Sequence, residues 1–222
     1  MESTYTDPKR IQESLLSPLE KRVLHWLAHR LPGWLNSDHL TILGFIGMVL
    51  AGVAYFFSNH YRFAPLFASV FLMINWFGDS LDGTIARLRN RQRPRYGFYV
   101  DHIVDTFGAL FLLSGLAFSG LMDPRVAYAL LIVYFMLSID IYLATFTTGS
   151  FRLSFWIFGP TELRVLICIG NIVVTFHPIS QLFGMQFRLL DVGGVIAIPV
   201  LAIILLVSVI RNVRFLYLSE LI

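Results

Sequence analysis

A chain of 222 residues that is 56% hydrophobic and only 14% charged is too apolar for an ordinary soluble domain, and its formal net charge is a modest +3. Its one cysteine, Cys168, excludes an internal disulfide and reads as a small packing residue. No internal repeat or low-complexity segment is present.

In chain order, the first 35 residues mix charges with apolar positions at helical spacing, which is not the pattern of a signal peptide. Within them Ser17-Pro18-Leu19-Glu20 has the form of a capping box with proline at the first helical position. Leu19, Val23, Trp26 and Leu27 then recur at helical spacing, with Lys21, Arg22 and His29 elsewhere on the turn, until Pro32-Gly33 ends the segment. A basic amphipathic helix beside a membrane span suits the headgroup layer; a cytoplasmic cap packed on the bundle is the alternative. Residues 1–36 are therefore read as a cytoplasmic segment with an interfacial helix, and residues 37–222 as one transmembrane domain.

Six apolar segments follow, at roughly 40–58, 63–88, 97–121, 126–147, 161–177 and 192–216, each near the ~20 residues that cross a bilayer core as a helix. The expected fold is all-α: an integral membrane bundle of six transmembrane helices with an N-terminal amphipathic interfacial helix. Lysine and arginine set the orientation. With both termini cytoplasmic, Lys9, Arg10, Lys21, Arg22, Arg30, the arginines from Arg87 to Arg95, Arg152, Arg164, Arg211 and Arg214 fall inside. Only Arg62, Arg125 and Arg188 fall outside. At the head of the first span, Asn36-Ser37-Asp38-His39-Leu40-Thr41 offers Ser37 or Asp38 as a helix cap.

Between the second and third spans runs GDSLDGTIARLRNRQRPRYGFYVDHIVDTFG, residues 78–108. On a helix, Asp79 and Asp82 share a face with Gly83 and Ala86; Asp101 and Asp105 share one with Gly97 and Gly108. Ionised side chains at membrane depth are expensive and usually face a working cavity, although solvated helix caps are the plainer reading. Four like charges repel unless cations lie between them, and hard ions such as Mg²⁺ or Mn²⁺ prefer such oxygen ligands. Arg87, Arg89, Arg91, Arg93 and Arg95 alternate through the connecting loop, as a topology signal meeting anionic headgroups would. Arg87 differs in adjoining the carboxylate face, where a guanidinium suits phosphate oxygens. No Rossmann or Walker fingerprint is present, and Tyr96 is the only aromatic in the basic loop, so nucleic acid is not indicated as a partner. His102 lies on a different helical face from the aspartates, which suits packing or a headgroup contact better than ligation.

Further along, Asp140 sits deep in the fourth span, either paired with a bundle neighbour or lining a cavity. Gly159-Pro160-Thr161-Glu162, followed by Arg164, opens the fifth span on the side of the aspartates. Proline there is ordinary architecture, whereas Glu162 and Arg164 lie close to hydrocarbon and read as a polar acceptor pocket. Clustered carboxylates also mark ion pathways, so a divalent-cation transporter is a competing class. Against it, the aspartates gather at one membrane edge and only Asp140 continues inward.

The spacing resembles the signature of the CDP-alcohol phosphotransferase family: Asp-x-x-Asp-Gly-x-x-Ala-Arg, about eight residues, then Gly-x-x-x-Asp-x-x-x-Asp. Here the halves are Asp79 to Arg87 and Gly97 to Asp105, separated by nine residues, 88–96. Asn36 to Thr41 is similar to the family's Pro-Asn-x-x-Thr start, with Ser37 and Asp38 in place of Pro and Asn; that resemblance adds a role near the nucleotide. The likeness is strongest over residues 36–108. It implies Asp79, Asp82 and Asp101 as principal ligands of a divalent metal, two ions in all. Asp105 would be the general base that also borders the metal site. Gly83 and Ala86 would make room for the cytidine moiety, and Arg87 would hold the diphosphate. A homodimer is expected from the family alone.

The implied reaction is phosphatidyl transfer from CDP-diacylglycerol to the hydroxyl of a small polar alcohol, with CMP released. The alternative is transfer from a CDP-linked polar alcohol to a lipid hydroxyl such as diacylglycerol. Either way a poor nucleophile must lose a proton and a charged leaving group must be neutralised. Metal ions among the aspartates would serve the second need.

Overall fold

The computed structural model describes residues 9–11, 14–152, 159–182 and 184–220, so the first eight residues of the expected cytoplasmic segment lie outside the described part. Helix dominates. The order is β1 (Lys9–Ile11), α1 (Ser17–Arg30), α2 (Ser37–Phe56), α3 (Ala64–Leu88), α4 (Pro94–Ala117), α5 (Pro124–Thr148), β2 (Ser150–Arg152), α6 (Pro160–Phe176), β3 (Ile179–Leu182), β4 (Met185–Arg188) and α7 (Leu189–Ser219). Two small sheets are additions to the all-helical expectation. β1 pairs with β2 in parallel, and β3 with β4 forms an antiparallel hairpin that turns through Gly184 at φ 79°.

Among the described residues, five helices are long and apolar enough to cross a membrane: α2, α3, α4, α5 and α7. The fifth expected span corresponds to α6, whose 17 residues rise only about 26 Å, short of a typical ~30 Å hydrocarbon core. Helices α4, α5 and α6 begin three, two and one residues before the expected spans because Pro94, Pro124 and Pro160 start them, where the missing N–H costs nothing.

Small residues bring the central helices together, as membrane packing favours. α2 packs against both α3 and α4, α3 against α6, α4 against α5, and α5 against α7. A Cβ added to Gly78 of α3 would lie 2.4 Å from the Leu40 carbonyl oxygen, and one on Gly115 of α4 only 2.0 Å from that of Gly52. The backbones meet where those side chains are missing. One apolar core joins Ala51, Tyr55, Leu72, Leu112 and Leu116; outward faces carry Ile46, Val53, Phe67, Ile203 and Ile210, suited to lipid.

α1 lies against α3. Leu24 and Ala28 pack with Leu40, Leu81 and Ile85, while Leu19, Val23 and Trp26 stay exposed. The expected capping box is not what starts this helix. Leu16 is its cap residue and no side-chain cap bond is made, because Glu20 turns inward to the bundle. At α2 the cap residue is Asn36, not Ser37 or Asp38: His39 Nδ1 accepts the Asn36 N–H at 3.1 Å, and Asp38 pairs with Arg93 across the loop.

Candidate active site

The polar ends of α3, α4 and α6 meet in one place. Asp79 of α3 and Asp101 and Asp105 of α4 each offer a carboxylate oxygen, all within 4.8 Å of one another. Three anionic oxygens at that separation form a hard donor set, with no imidazole or thiolate among them, and this fits a divalent ion such as Mg²⁺ or Mn²⁺. Asp101 is the most open, with its side chain 41% exposed, so the site faces out at that corner.

Asp82 takes a different place. It is buried, and its Oδ2 accepts the Thr41 hydroxyl at 2.6 Å, while Oδ1 lies against the N–H of Gly83. Thr41 thereby joins the start of α2 to the signature helix, a link that the Asn36–Thr41 segment did not reveal from spacing alone. Gly83 serves Arg87: a Cβ there would stand 3.2 Å from the Arg87 guanidinium, which also donates to Thr84 Oγ1 at 3.4 Å. A cavity of about 340 Å³ opens beside Ala86, with Asn36, Asp38, Arg91 and Arg93 among its lining.

Nine residues between the two halves of the signature are accommodated by an orderly turn. Asn90 adopts a left-handed conformation at φ 52°, and the Arg91 N–H returns to the Ala86 carbonyl at 2.9 Å, closing α3 as a Schellman-type end. Arg89 is not a free headgroup contact. Its guanidinium donates to the carbonyls of Leu31, Pro32 and Leu35 and so clasps the α1–α2 connection. The His102 ring stacks on Phe98, with centroids 4.0 Å apart, and its Nδ1 sits 2.6 Å from the Phe98 carbonyl, a packing role.

The residues read as an acceptor pocket separate. Arg164 Nη2 pairs with Asp79 Oδ2 at 2.6 Å and its Nε donates to Asn75 Oδ1 at 2.9 Å; Asn75 in turn donates to the Gly44 carbonyl at 3.1 Å. Arg164 therefore adjoins the carboxylate cluster. Glu162 is buried and accepts the N–H of Leu16 at 2.7 Å and of Gly159 at 2.9 Å, so it holds backbone. Asp140 resolves as a helix–helix contact, accepting the Ser208 hydroxyl of α7 at 2.6 Å. Asn75 carries no signature and Glu20 reads from spacing only as a capping residue; the packed bundle alone shows them as neighbours of the site.

A polytopic helical membrane protein with a carboxylate cluster at the polar ends of its helices is the class this geometry defines. The chain belongs to the CDP-alcohol phosphatidyltransferase family, whose model matches residues 34–217. Members of that family are divalent-metal-dependent transferases of substituted phosphate groups. It is also similar to the archaetidylinositol phosphate synthase of Pyrococcus horikoshii, 29% identical over 104 residues. That match covers 47% of this chain and 52% of the relative, so the chain spans about half the length of the curated relative it matches.

Proposed function

We propose that this protein transfers a phosphatidyl group from CDP-diacylglycerol to the hydroxyl of a small polar alcohol and releases CMP. The observation that carries the reading is the convergence of Asp79, Asp101 and Asp105 within 4.8 Å, in a chain whose family performs this class of transfer. The name of the Pyrococcus relative, an archaetidylinositol phosphate synthase, favours a polar acceptor of the inositol phosphate kind over a lipid acceptor.

Asp79, Asp101 and Asp105 would hold the metal, one or two ions, with Asp82 beside them. Held there, divalent cations would supply positive charge against the diphosphate and the departing oxygen. Arg87 holds a phosphate oxygen over Gly83, and the cavity beside Ala86 receives the cytidine end. Asp105 accepts the proton from the attacking hydroxyl. Arg164, already at the edge of the carboxylate cluster, meets the acceptor, and Glu162 keeps the start of α6 in place.

α6, with its 17 residues, completes a set of six spans. Both termini and the site face the cytoplasm, as the arginine distribution argues. α1 lies in the headgroup layer, its exposed Leu19, Val23 and Trp26 toward acyl chains and its basic residues toward phosphates. The deciding experiment incubates purified protein with labelled CDP-diacylglycerol and a panel of polar alcohols, and in parallel with CDP-linked polar alcohols and diacylglycerol. CMP release only in the second arm reverses the donor and acceptor assignment. Release in neither arm removes the proposed substrates.

A further inference from the structure

We infer that Glu20, on the N-terminal helix, is a positioning residue for the carboxylate site and acts through the Arg164–Asp79 pair. The inference rests on the reading of that site just given. Glu20 is 7% exposed, and its Oε1 accepts from three side chains: Trp76 Nε1 at 3.0 Å, Ser80 Oγ at 3.2 Å and Thr161 Oγ1 at 2.7 Å. Trp76 and Ser80 are one turn apart on α3, and Thr161 stands in the first turn of α6. One carboxylate oxygen thus bridges two helices that must be held in register.

The next contact between the same helices is the one that matters for chemistry. Arg164 of α6 reaches Asn75 and Asp79 of α3, the residues immediately before Trp76 and Ser80. Beside the site α3 and α6 are therefore joined by two successive polar rungs, Glu20 forming the outer and Arg164 the inner, while Asn171 donates to Ser69 at 3.0 Å further along the same pair. The tie is reciprocal, because Glu162 of α6 accepts the Leu16 N–H at the head of α1. Stability alone would be served as well by apolar side chains at this depth. Three directional bonds to one buried oxygen specify a single rotation of α6 on α3, and that rotation aims Arg164 at Asp79.

The test uses the full-length protein in detergent or nanodiscs, with Mn²⁺ titration by calorimetry as a readout that needs no substrate. Glu20→Ala should shift Mn²⁺ affinity in the same sense as Arg164→Ala, by about tenfold, the scale for partners outside the ligand shell. It should also lower kcat for CMP release by a similar factor. The double variant Glu20→Ala/Arg164→Ala should be no worse than Arg164→Ala alone, since one acts through the other. Glu20→Gln, which keeps an acceptor oxygen, should recover part of the loss. Thr161→Val deletes only the α6 end of the bridge and should move both readouts the same way, less far. An unchanged Mn²⁺ affinity in Glu20→Ala or Thr161→Val with only a lower melting temperature, or losses that multiply in the double variant, overturns the inference. Wild-type protein that releases no CMP while Glu20→Ala still shifts Mn²⁺ affinity removes the substrate reading and leaves the positioning role standing.

Discussion

At the scale of single residues, the division of labour among the aspartates follows from their partners. Asp105 stands with Asp79 and Asp101 in the cluster, and it is the carboxylate assigned to the proton. Asp105→Asn keeps the shape and removes the base, so turnover should fall by about 10²–10⁴-fold while CDP-alcohol affinity, measured by calorimetry, stays close to wild type. A variant that no longer binds the nucleotide would recast Asp105 as chiefly a ligand. Asp82 depends on Thr41, whose hydroxyl is 2.6 Å away. Thr41→Val strips that donor from a buried carboxylate, at a cost of about 1–3 kcal/mol, and should raise the Mg²⁺ concentration needed for half-maximal CMP release. Arg164 and Glu162 now part company as well. Arg164→Ala should shift Mn²⁺ affinity and raise the acceptor KM, whereas Glu162→Gln should lower the melting temperature first, because its partners are backbone amides.

At the scale of elements, helices meet through missing side chains. A methyl group on Gly115 would sit 2.0 Å from the Gly52 carbonyl oxygen, a backbone atom that cannot rotate aside. Gly115→Ala should therefore force α4 off α2 and lower stability by about 1–3 kcal/mol, read as a fall in melting temperature in detergent. Gly97→Ala provides the control, since an added Cβ there meets nothing within 4 Å. Equal melting temperatures for the two variants would mean that the α2–α4 contact is looser than the structure has it. The connection between α1 and α2 is likewise an element held from elsewhere, by Arg89 at the end of α3.

At the scale of the whole molecule, the metal and the membrane make the strongest demands. Exhaustive chelation should abolish CMP release and added Mg²⁺ or Mn²⁺ should restore it; full turnover in chelated buffer would remove the metal from the reaction. Orientation is open to a direct check because Cys168 is the only cysteine. In a Cys168→Ser background, a cysteine replacing Arg91 should react with an impermeant maleimide from the cytoplasmic face alone, and one replacing Tyr61 from the opposite face alone.

What the sequence determined by itself was set by composition and short-range spacing. Helical apolar runs, Pro18 and Pro160 as helix starts, and the positions of the aspartates on their two helices are local, since a residue three or four places along must share a face. Family membership followed from those same positions. Tertiary structure alone decided the partners. Glu20 reads as a capping residue from Ser17-Pro18-Leu19-Glu20, yet its carboxylate reaches Trp76, Ser80 and Thr161. Glu162 and Arg164 read as one pocket, yet they point to different neighbours, because residues two apart on a helix face different ways. Asp82 accepts from Thr41, 41 positions earlier, a pairing that only the packing of α2 on α3 creates. Local periodicity says which face a side chain occupies; the neighbour that meets that face is set by how distant helices pack.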